Sequence, residues 1–276
     1  MRAKTSKARG LSPSERRRTI SEWATERGWV NVANLAEAFG VTQDTIRNDL
    51  DVLAEEGLVT RTHGGAAAKT SPRFPPPYST IRNSRIPEKS GIAHAALAYL
   101  PESGAVFIAP GSTTYQLATC IPAGKLAQTY TNSLPVAEYL VTNSISPVYF
   151  PGGAITAWAL ASDWSLSEDA LEGLYWEVLF MGASAVDVER GISEVDMEMA
   201  RRTRSLIKHT HKTVLLCDSS KMGKVAHAII GPLSLVDVLI TDPDVESGTV
   251  DAMAAEGVEV VVAEPKTMGI PGDELK

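Results

Sequence analysis

Cysteine is nearly absent from this chain of 276 residues. Its two copies, Cys120 and Cys217, stand 97 positions apart with neither a Cys-x-x-Cys spacing nor a nearby set of histidines. A disulfide-stapled miniprotein and a zinc site are thereby excluded, and both residues, lying in or beside apolar segments, read as small core side chains. Long apolar runs are missing too, since no stretch of about eighteen apolar residues is available to cross a membrane. Seven basic residues crowd the first eighteen, but no apolar segment follows them as a secretory signal requires, so the cytoplasm is the expected location. There is no internal repeat and no long low-complexity tract. The composition, 44% apolar and 21% charged, excludes disorder and collagen-like repeats and suffices for one large core plus a smaller satellite domain. Nothing in it calls for a cofactor or a metal.

Positive charge is in deficit overall. The net charge of −7 argues against a nucleic-acid partner, because a polyanion repels a polyanion, but the deficit is uneven. Residues 1–75 hold 12 Lys+Arg against 9 Asp+Glu and residues 76–276 hold 14 against 24, which leaves +3 and −10. Such asymmetry marks a basic binding module joined to an acidic domain. The join is read at 69–77, KTSPRFPPP, where four prolines in nine residues forbid a continuing helix and favour an extended connector. The expected organisation is a flexible basic N-terminus at 1–13, a helical module at 14–68, a Pro-rich linker at 69–86 and a larger domain at 87–276.

In the module, apolar residues recur at helical spacing three times: Ile20, Trp23 and Ala24; Val32, Leu35, Ala36 and Phe39; Ile46, Leu50 and Leu53. Gly28 and Gly40 punctuate the first two helices, and Thr42 stands where an N-cap of the third belongs, with Asp44 suited to its dipole. Three helices with a Gly40-Val41 turn make a helix-turn-helix. With the apolar stripe inward, Gln43, Asp44, Arg47, Asn48 and Asp51 share the outer face of the third helix, with Thr45 at its edge. That face suits a major groove, where Arg47 can donate twice to guanine and Gln43 or Asn48 can pair with adenine. A short β-ribbon or wing is expected after it, from Gly57 to the Gly64-Gly65 bend, with Arg61 and His63 directed at phosphate. Arg16, Arg17 and Arg18 add charge where a first helix crosses the backbone.

Beyond the linker, short apolar runs at 105–109, 126–130, 147–150, 178–181, 214–217, 236–240 and 258–262 read as buried strands with helical spacers between them, a largely parallel sheet flanked by helices. Open parallel sheets bind ligands outside the carboxyl ends of their strands. Those ends carry Pro110-Gly111-Ser112-Thr113-Thr114, Thr131-Asn132-Ser133, Pro151-Gly152-Gly153, Gly182-Ala183-Ser184, Asp218-Ser219-Ser220-Lys221 and Thr241-Asp242. Glycines, hydroxyls, an amide and a lysine thus converge on one edge. A Gly-Ser-Thr-Thr helix start supplies backbone N–H donors suited to phosphate, and Lys221 adds a point charge.

Val41-Thr42-Gln43-Asp44-Thr45-Ile46-Arg47-Asn48-Asp49-Leu50, followed by Arg61-Thr62-His63-Gly64-Gly65, resembles the N-terminal signature of the DeoR family of bacterial transcriptional regulators, roughly V-S-x-x-T-I-R-R-D-L with R-x-H-G-G downstream. Thr42 replaces the usual Ser and keeps the cap; Asn48 replaces a usual basic residue. The resemblance continues through Lys89 in K-x-x-I-A, Gly111-Ser112-Thr113, Thr131-Asn132, Gly152-Gly153 and Asp218-Ser219-Ser220-Lys221. It implies a winged helix-turn-helix followed by a ribose-5-phosphate-isomerase-like domain that senses a phosphorylated sugar. Departures cluster near that domain's expected site. Ala154 to Trp158, and Trp164, replace basic or polar residues and a glycine, while Met199 and Thr203 stand for a usual carboxylate and lysine.

The expected function is a sequence-specific DNA-binding regulator, a repressor of a carbohydrate operon relieved by a phosphorylated metabolite. Its partners are double-stranded operator DNA and that metabolite, with no membrane. A homodimer or higher oligomer is expected, because two recognition helices about 34 to 36 Å apart read a palindrome. A phosphosugar isomerase-like enzyme using Asp218 with Lys221, or Asp187 with Glu189, is the alternative reading. An activator without a small-molecule effector is another.

Overall fold

The computed structural model describes residues 11–27, 29–62, 64–68, 78–163 and 173–266. Gly28, His63, the proline run of the linker and Trp164 lie outside the described residues. The chain divides into two compact units, Met1–Asn83 and Ser84–Lys276.

The first unit runs α1 (Pro13–Arg27), β1 (Trp29–Asn31), α2 (Val32–Phe39), α3 (Gln43–Glu55), β2 (Val59–Thr62), β3 (Gly65–Ala68) and α4 (Tyr78–Arg82). Local chemistry sets the helix ends. The Asn31 side-chain oxygen accepts from the N–H groups of Ala33 and Asn34 at 2.8 and 3.2 Å, satisfying donors that α2 itself leaves orphaned. Gly40, at φ 67°, closes α2 in the left-handed region that only glycine enters cheaply. Thr42 then caps α3, its hydroxyl accepting from the Thr45 N–H at 3.2 Å. Ile20, Leu35, Phe39, Ile46, Leu50 and Leu53 form the buried core, with Trp23 stacked on Phe39 at 5.1 Å. The wing is an antiparallel sheet in the order β1-β3-β2, seated on the helices by buried Val59 and Ala66. Strand β1 was not foreseen, because three residues present no period. Residues 78–82, expected as part of the extended linker, are helical.

The second unit runs α5 (Ile86–Ala96), β4 (Ala105–Ile108), α6 (Ser112–Cys120), β5 (Gln128–Tyr130), α7 (Leu134–Thr142), β6 (Val148–Tyr149), β7 (Ala154–Thr156), β8 (Ala161–Asp163), β9 (Trp176–Met181), β10 (Ala185–Asp187), β11 (Gly191–Glu194), α8 (Met197–Lys208), β12 (Thr210–Leu216), β13 (Ala228–Gly231), β14 (Val238–Thr241), α9 (Ser247–Ala255) and β15 (Glu259–Val262). All seven expected apolar runs become strands of one parallel sheet in the order β15-β14-β12-β9-β4-β5-β6. Successive side chains alternate between faces. Val106, Ile108, Phe180, Leu216 and Ile240 meet α5, α6 and α7 in one core, while Phe107, Leu179, Met181, Leu215 and Leu239 meet α8 and α9 in the other. Burial on both faces is why these strands read as unbroken apolar runs. The remaining strands form the antiparallel sheet β10-β11-β13 and the hairpin β7–β8. Among the described residues, no helix is long and apolar enough to cross a membrane.

Helix α5 passes close to the segment that follows β15. A Cβ on Gly91 would overlap the carbonyl oxygen of Glu264, which is backbone and cannot rotate away. Gly91→Ala gains about 1 kcal/mol of helix propensity. Overpacking against a rigid neighbour costs about 1 to 3 kcal/mol, and backbone overlap sits at the upper end of that range. A net loss of stability is therefore expected, read as a lower urea midpoint with unchanged slope. A midpoint equal to or above that of the parent would show that residues 264–265 yield freely.

Candidate functional site

Helix α3 presents Gln43, Asp44, Arg47, Asn48 and Asp51 to solvent, with Thr45 partly buried at the edge. The side chains hold one another. The Arg47 guanidinium donates to Asp44 Oδ1 at 2.5 Å and to Gln43 Oε1 at 3.2 Å, and the Thr42 hydroxyl meets that of Thr45 at 2.9 Å. An exposed pair of this kind is worth roughly 0 to 1 kcal/mol, so giving it up would cost Arg47 little. In the wing, Arg61 lies 2.8 Å from Asp51 and donates to the Gly65 carbonyl at 3.0 Å, tying β2 to α3. On α1, Arg18 is exposed and pairs with Glu22, and Arg17 lies 3.7 Å from Asp49.

Arg16 departs from expectation. It is 8% exposed, with Nε 2.5 Å from Asp49 Oδ2 and Nη2 donating to Asp49 Oδ1 at 3.3 Å, a buried two-pronged clamp between α1 and α3. A guanidinium spent in this way does not reach phosphate. Asp49 was missed by the sequence reading, although it completes the 46, 49, 50, 53 stripe that faces inward on a helix.

In the second unit, β5 and β6 extend the sheet on one side of β4, and β9, β12, β14 and β15 on the other. The order therefore reverses between β4 and β9, and a crevice opens outside their carboxyl ends, as the switch point of an open parallel sheet requires. It encloses about 780 Å³ including its open mouth. Ala109 and Pro110 after β4, Asn132 after β5 and Gly182 after β9 form its floor, and the β7–β8 hairpin and α8 supply the walls. The hairpin is pinned to the β5–α7 loop, with the Ser162 N–H donating to the Asn132 carbonyl at 2.8 Å and the Leu134 N–H to the Leu160 carbonyl at 2.9 Å. An ion pair between Arg202 of α8 and Asp163 of β8 closes the other side.

Of the expected ligand residues, only Asn132 lines this crevice. Thr131 is fully buried, its hydroxyl donating to the Ile108 carbonyl at 2.6 Å and accepting from the Ser133 N–H at 3.1 Å, so it fixes the loop. Thr114 is likewise spent on the Gly111 carbonyl at 3.0 Å. Gly152 and Gly153, at φ 70° and 99°, turn the chain between β6 and β7 and do not line the crevice. Asp218 Oδ1 accepts from the Ser220 N–H at 3.1 Å and from the Ser220 hydroxyl, and lies 3.4 Å from Arg85 Nε, so its carboxylate fixes a turn. At Gly111 a Cβ would crowd Thr114 Oγ1 at 2.9 Å, and the glycine has no side chain with which to cap α6. Ser112 and Thr113 begin that helix almost buried, where first-turn N–H groups favour an anion.

Lys89 lies under the same edge, 2% exposed, its ammonium donating to the Ser84 carbonyl at 2.7 Å and hydroxyl at 3.2 Å. Burial pulls its pKa down to about 8, with Asp218 opposing the drop and the charges of Lys221 and Arg85 reinforcing it. Three cations thus share one region. Arg85, unforeseen, holds Ser219, Asp242 and Asp244 at 3.0, 3.2 and 2.9 Å. Glu194, also unforeseen, ends β11 in the crevice wall and accepts from the Ser184 hydroxyl at 2.5 Å. Burial pushes its pKa up to about 7 against the pull of Ser184 and Lys221. No local signal marks it, because β11 is four residues long and too short to carry a period, although it pairs with the neighbouring β10 as well as with β13. Trp158, Met199 and Thr203, the departures noted in the sequence, line the crevice.

Comparison with known proteins accounts for both units. The DeoR-like helix-turn-helix domain matches residues 16–72 and the DeoR C terminal sensor domain matches residues 84–243. The HTH-type transcriptional regulator GlpR of Haloferax volcanii is 30% identical over 251 residues, 91% of this chain and 98% of its own length. The glycerol-3-phosphate regulon repressor of Escherichia coli K12 is 28% identical over 84% of this chain and 92% of its own. The putative aga operon transcriptional repressor of Escherichia coli O157:H7 is 27% identical over 90% and 93%. A looser likeness in solved structures is to ribose 5 phosphate isomerase A from Neisseria gonorrhoeae, 20% identical over 49% of this chain and 52% of that one, with TM-score 0.36. With a helix-turn-helix at its head and a sensor domain filling most of the rest, the chain belongs to the DeoR family of transcriptional regulators.

Proposed function

We propose that the protein is an operator-binding repressor of a carbohydrate-linked operon, released when a small phosphorylated metabolite occupies the strand-end edge of its second unit. The observation that carries this reading is the pairing in one chain of a polar, solvent-facing α3 with a switch-point crevice beside an uncapped helix start and the Lys89 and Lys221 cations. Two relatives named as repressors support it. Arg47, Gln43, Asp44, Thr45 and Asn48 face the bases, and Arg17, Arg18 and Arg61 face the phosphates. The phosphate of the effector sits on the α6 start near Ser112 and Thr113, with Lys221 and Lys89 behind it. The protein works in the cytoplasm as a homodimer or higher oligomer, so that two α3 helices meet two half-sites. The crevice serves as a sensor and not as a catalytic centre. Asp187 Oδ1, one half of an acid–base pair that an isomerase would need, accepts from the N–H groups of Glu189 and Arg190 at 3.1 and 2.9 Å and holds a turn.

Arg47→Ala tests the reading head. Loss of a bidentate base contact is expected to weaken operator binding by about 1 to 3 kcal/mol and to relax the base preference at one position. Titrations on operator and on random DNA, at one salt concentration, decide it. Equal losses on both would mean that Arg47 touches only phosphate.

A further inference from the structure

Ser84 and Arg85 are the residues by which the chain enters the second unit, and side chains of the strand-end edge hold both of them. Arg85 has φ 51° and ψ 45°, a left-handed conformation that a residue with a Cβ keeps only where its surroundings impose it. Five side chains do so here. Nη2 donates to the Ser219 hydroxyl at 3.0 Å, to Asp242 Oδ1 at 3.2 Å and to Asp244 Oδ2 at 2.9 Å. Nε lies 3.4 Å from Asp218 Oδ1, and Nη2 lies 3.4 Å from Glu88 Oε1. Ser84 is gripped by Lys89, whose ammonium donates to its carbonyl and its hydroxyl. The carboxylates that hold Arg85 also shape the loop carrying Lys221. Asp242 Oδ2 accepts from the Ser219 N–H at 2.8 Å, and Asp218 Oδ1 accepts from the Ser220 N–H at 3.1 Å. One set of contacts therefore fixes both the entry of the chain and the loop that faces the proposed anion.

We propose that Arg85 is a positioning residue for operator binding: it fastens the entry of the chain to the strand-end edge in the operator-competent state, and an anion at that edge undoes the fastening. The inference rests on the effector reading above and adds the route by which occupancy reaches the DNA-binding unit. A dianion outcompetes a neutral carbonyl for the Lys89 ammonium, so Lys89 leaves Ser84. The same dianion competes with four carboxylates for the one guanidinium they share. The side chain of Arg85 is 29% exposed, so it shifts without unpacking a core. The two states then differ in the contacts that they offer the anion, as any ligand-driven shift requires.

Two measurements on the full-length protein test this. The first uses no small molecule: operator affinity is titrated at one salt concentration for the parent, Arg85→Gln and Asp244→Asn. Arg85→Gln is expected to bind roughly tenfold more weakly, and Asp244→Asn, which removes one exposed partner, about twofold. Circular dichroism checks the fold, and sedimentation checks the assembly. If Arg85→Gln does not fold, Asp244→Asn carries the test. Parental affinity in the folded variants overturns the proposal, as does a loss that only follows a fall to a smaller assembly. The second measurement follows hydrogen exchange at the start of α5, where the Lys89 N–H donates to the Arg85 carbonyl at 3.1 Å, with inorganic phosphate as the probe. Phosphate is expected to speed exchange there in the parent, and Arg85→Gln should exchange fast with or without it. Phosphate that binds the parent, by calorimetry, and leaves this exchange unchanged overturns the proposed route. No phosphate binding at all would strike the effector reading, while the first measurement still decides whether Arg85 holds the operator-competent state.

Discussion

Asp49→Ala is expected to destabilise the first unit by about 3 to 5 kcal/mol, because it strands the Arg16 guanidinium in a buried site with no counter-charge. Ordinary surface substitutions change stability by about half a kcal/mol at most, so the effect would stand out. A domain with a typical margin of 5 to 15 kcal/mol loses a large share of it. The clamp joins α1 to α3, so operator binding should fall with stability even though Asp49 is buried. Urea unfolding of the full chain, followed by hydrogen exchange resolved along the sequence, locates the loss in residues 11–68 with the second unit unchanged. Replacing both partners, Arg16→Met with Asp49→Leu, should recover much of the stability, since no buried charge is then left alone. A loss below about 1 kcal/mol in the single variant would mean that water reaches Arg16 and that the clamp is ornamental.

Lys221→Ala is expected to abolish release by the effector while leaving operator affinity within about twofold, since it removes a cation from the proposed anion site and nothing from the proposed reading head. Release equal to that of the parent protein would place the anion elsewhere. The same site makes a pH prediction through Lys89, whose pKa is held near 8 by burial. A phosphate dianion favours the ammonium over the amine. Affinity should therefore be full below about 8 and fall as pH rises through that value, and binding just above it should take up a proton. Calorimetry in buffers of different ionisation enthalpy reads that proton directly. Affinity that rises through this range would show that Lys89 does not face the anion.

The seven strands of the large sheet were legible because each is buried on both faces and so announces itself by composition. Gly40 and Thr42 marked the turn before α3 for an equally local reason, since caps act within one helical turn. The small strands were illegible. Gly191–Glu194 and Ala161–Asp163 are too short to carry a period, and their partners are set by pairing alone. The three arginines of α1 illustrate the other limit. Successive helical residues turn by about 100°, so a run of basic side chains cannot all face one surface. Counting charge recorded three cations, and packing turned Arg16 inward, in line with Ile20 and Ala24.

The sequence by itself determined the three helices of the first module, the strand cores of the large sheet, the turn before α3 and the family, because each rests on residues within a few positions of one another. Only the tertiary structure decided which polar groups lose water. Arg16 and Asp49 are 33 residues apart, Asn132 and Ser162 are 30, and Glu194 and Lys89 owe their altered acidities to elements distant in the chain. Desolvation belongs to the packed whole, and it is desolvation that separates a clamp, a loop fastener and a ligand contact among side chains that look alike in sequence.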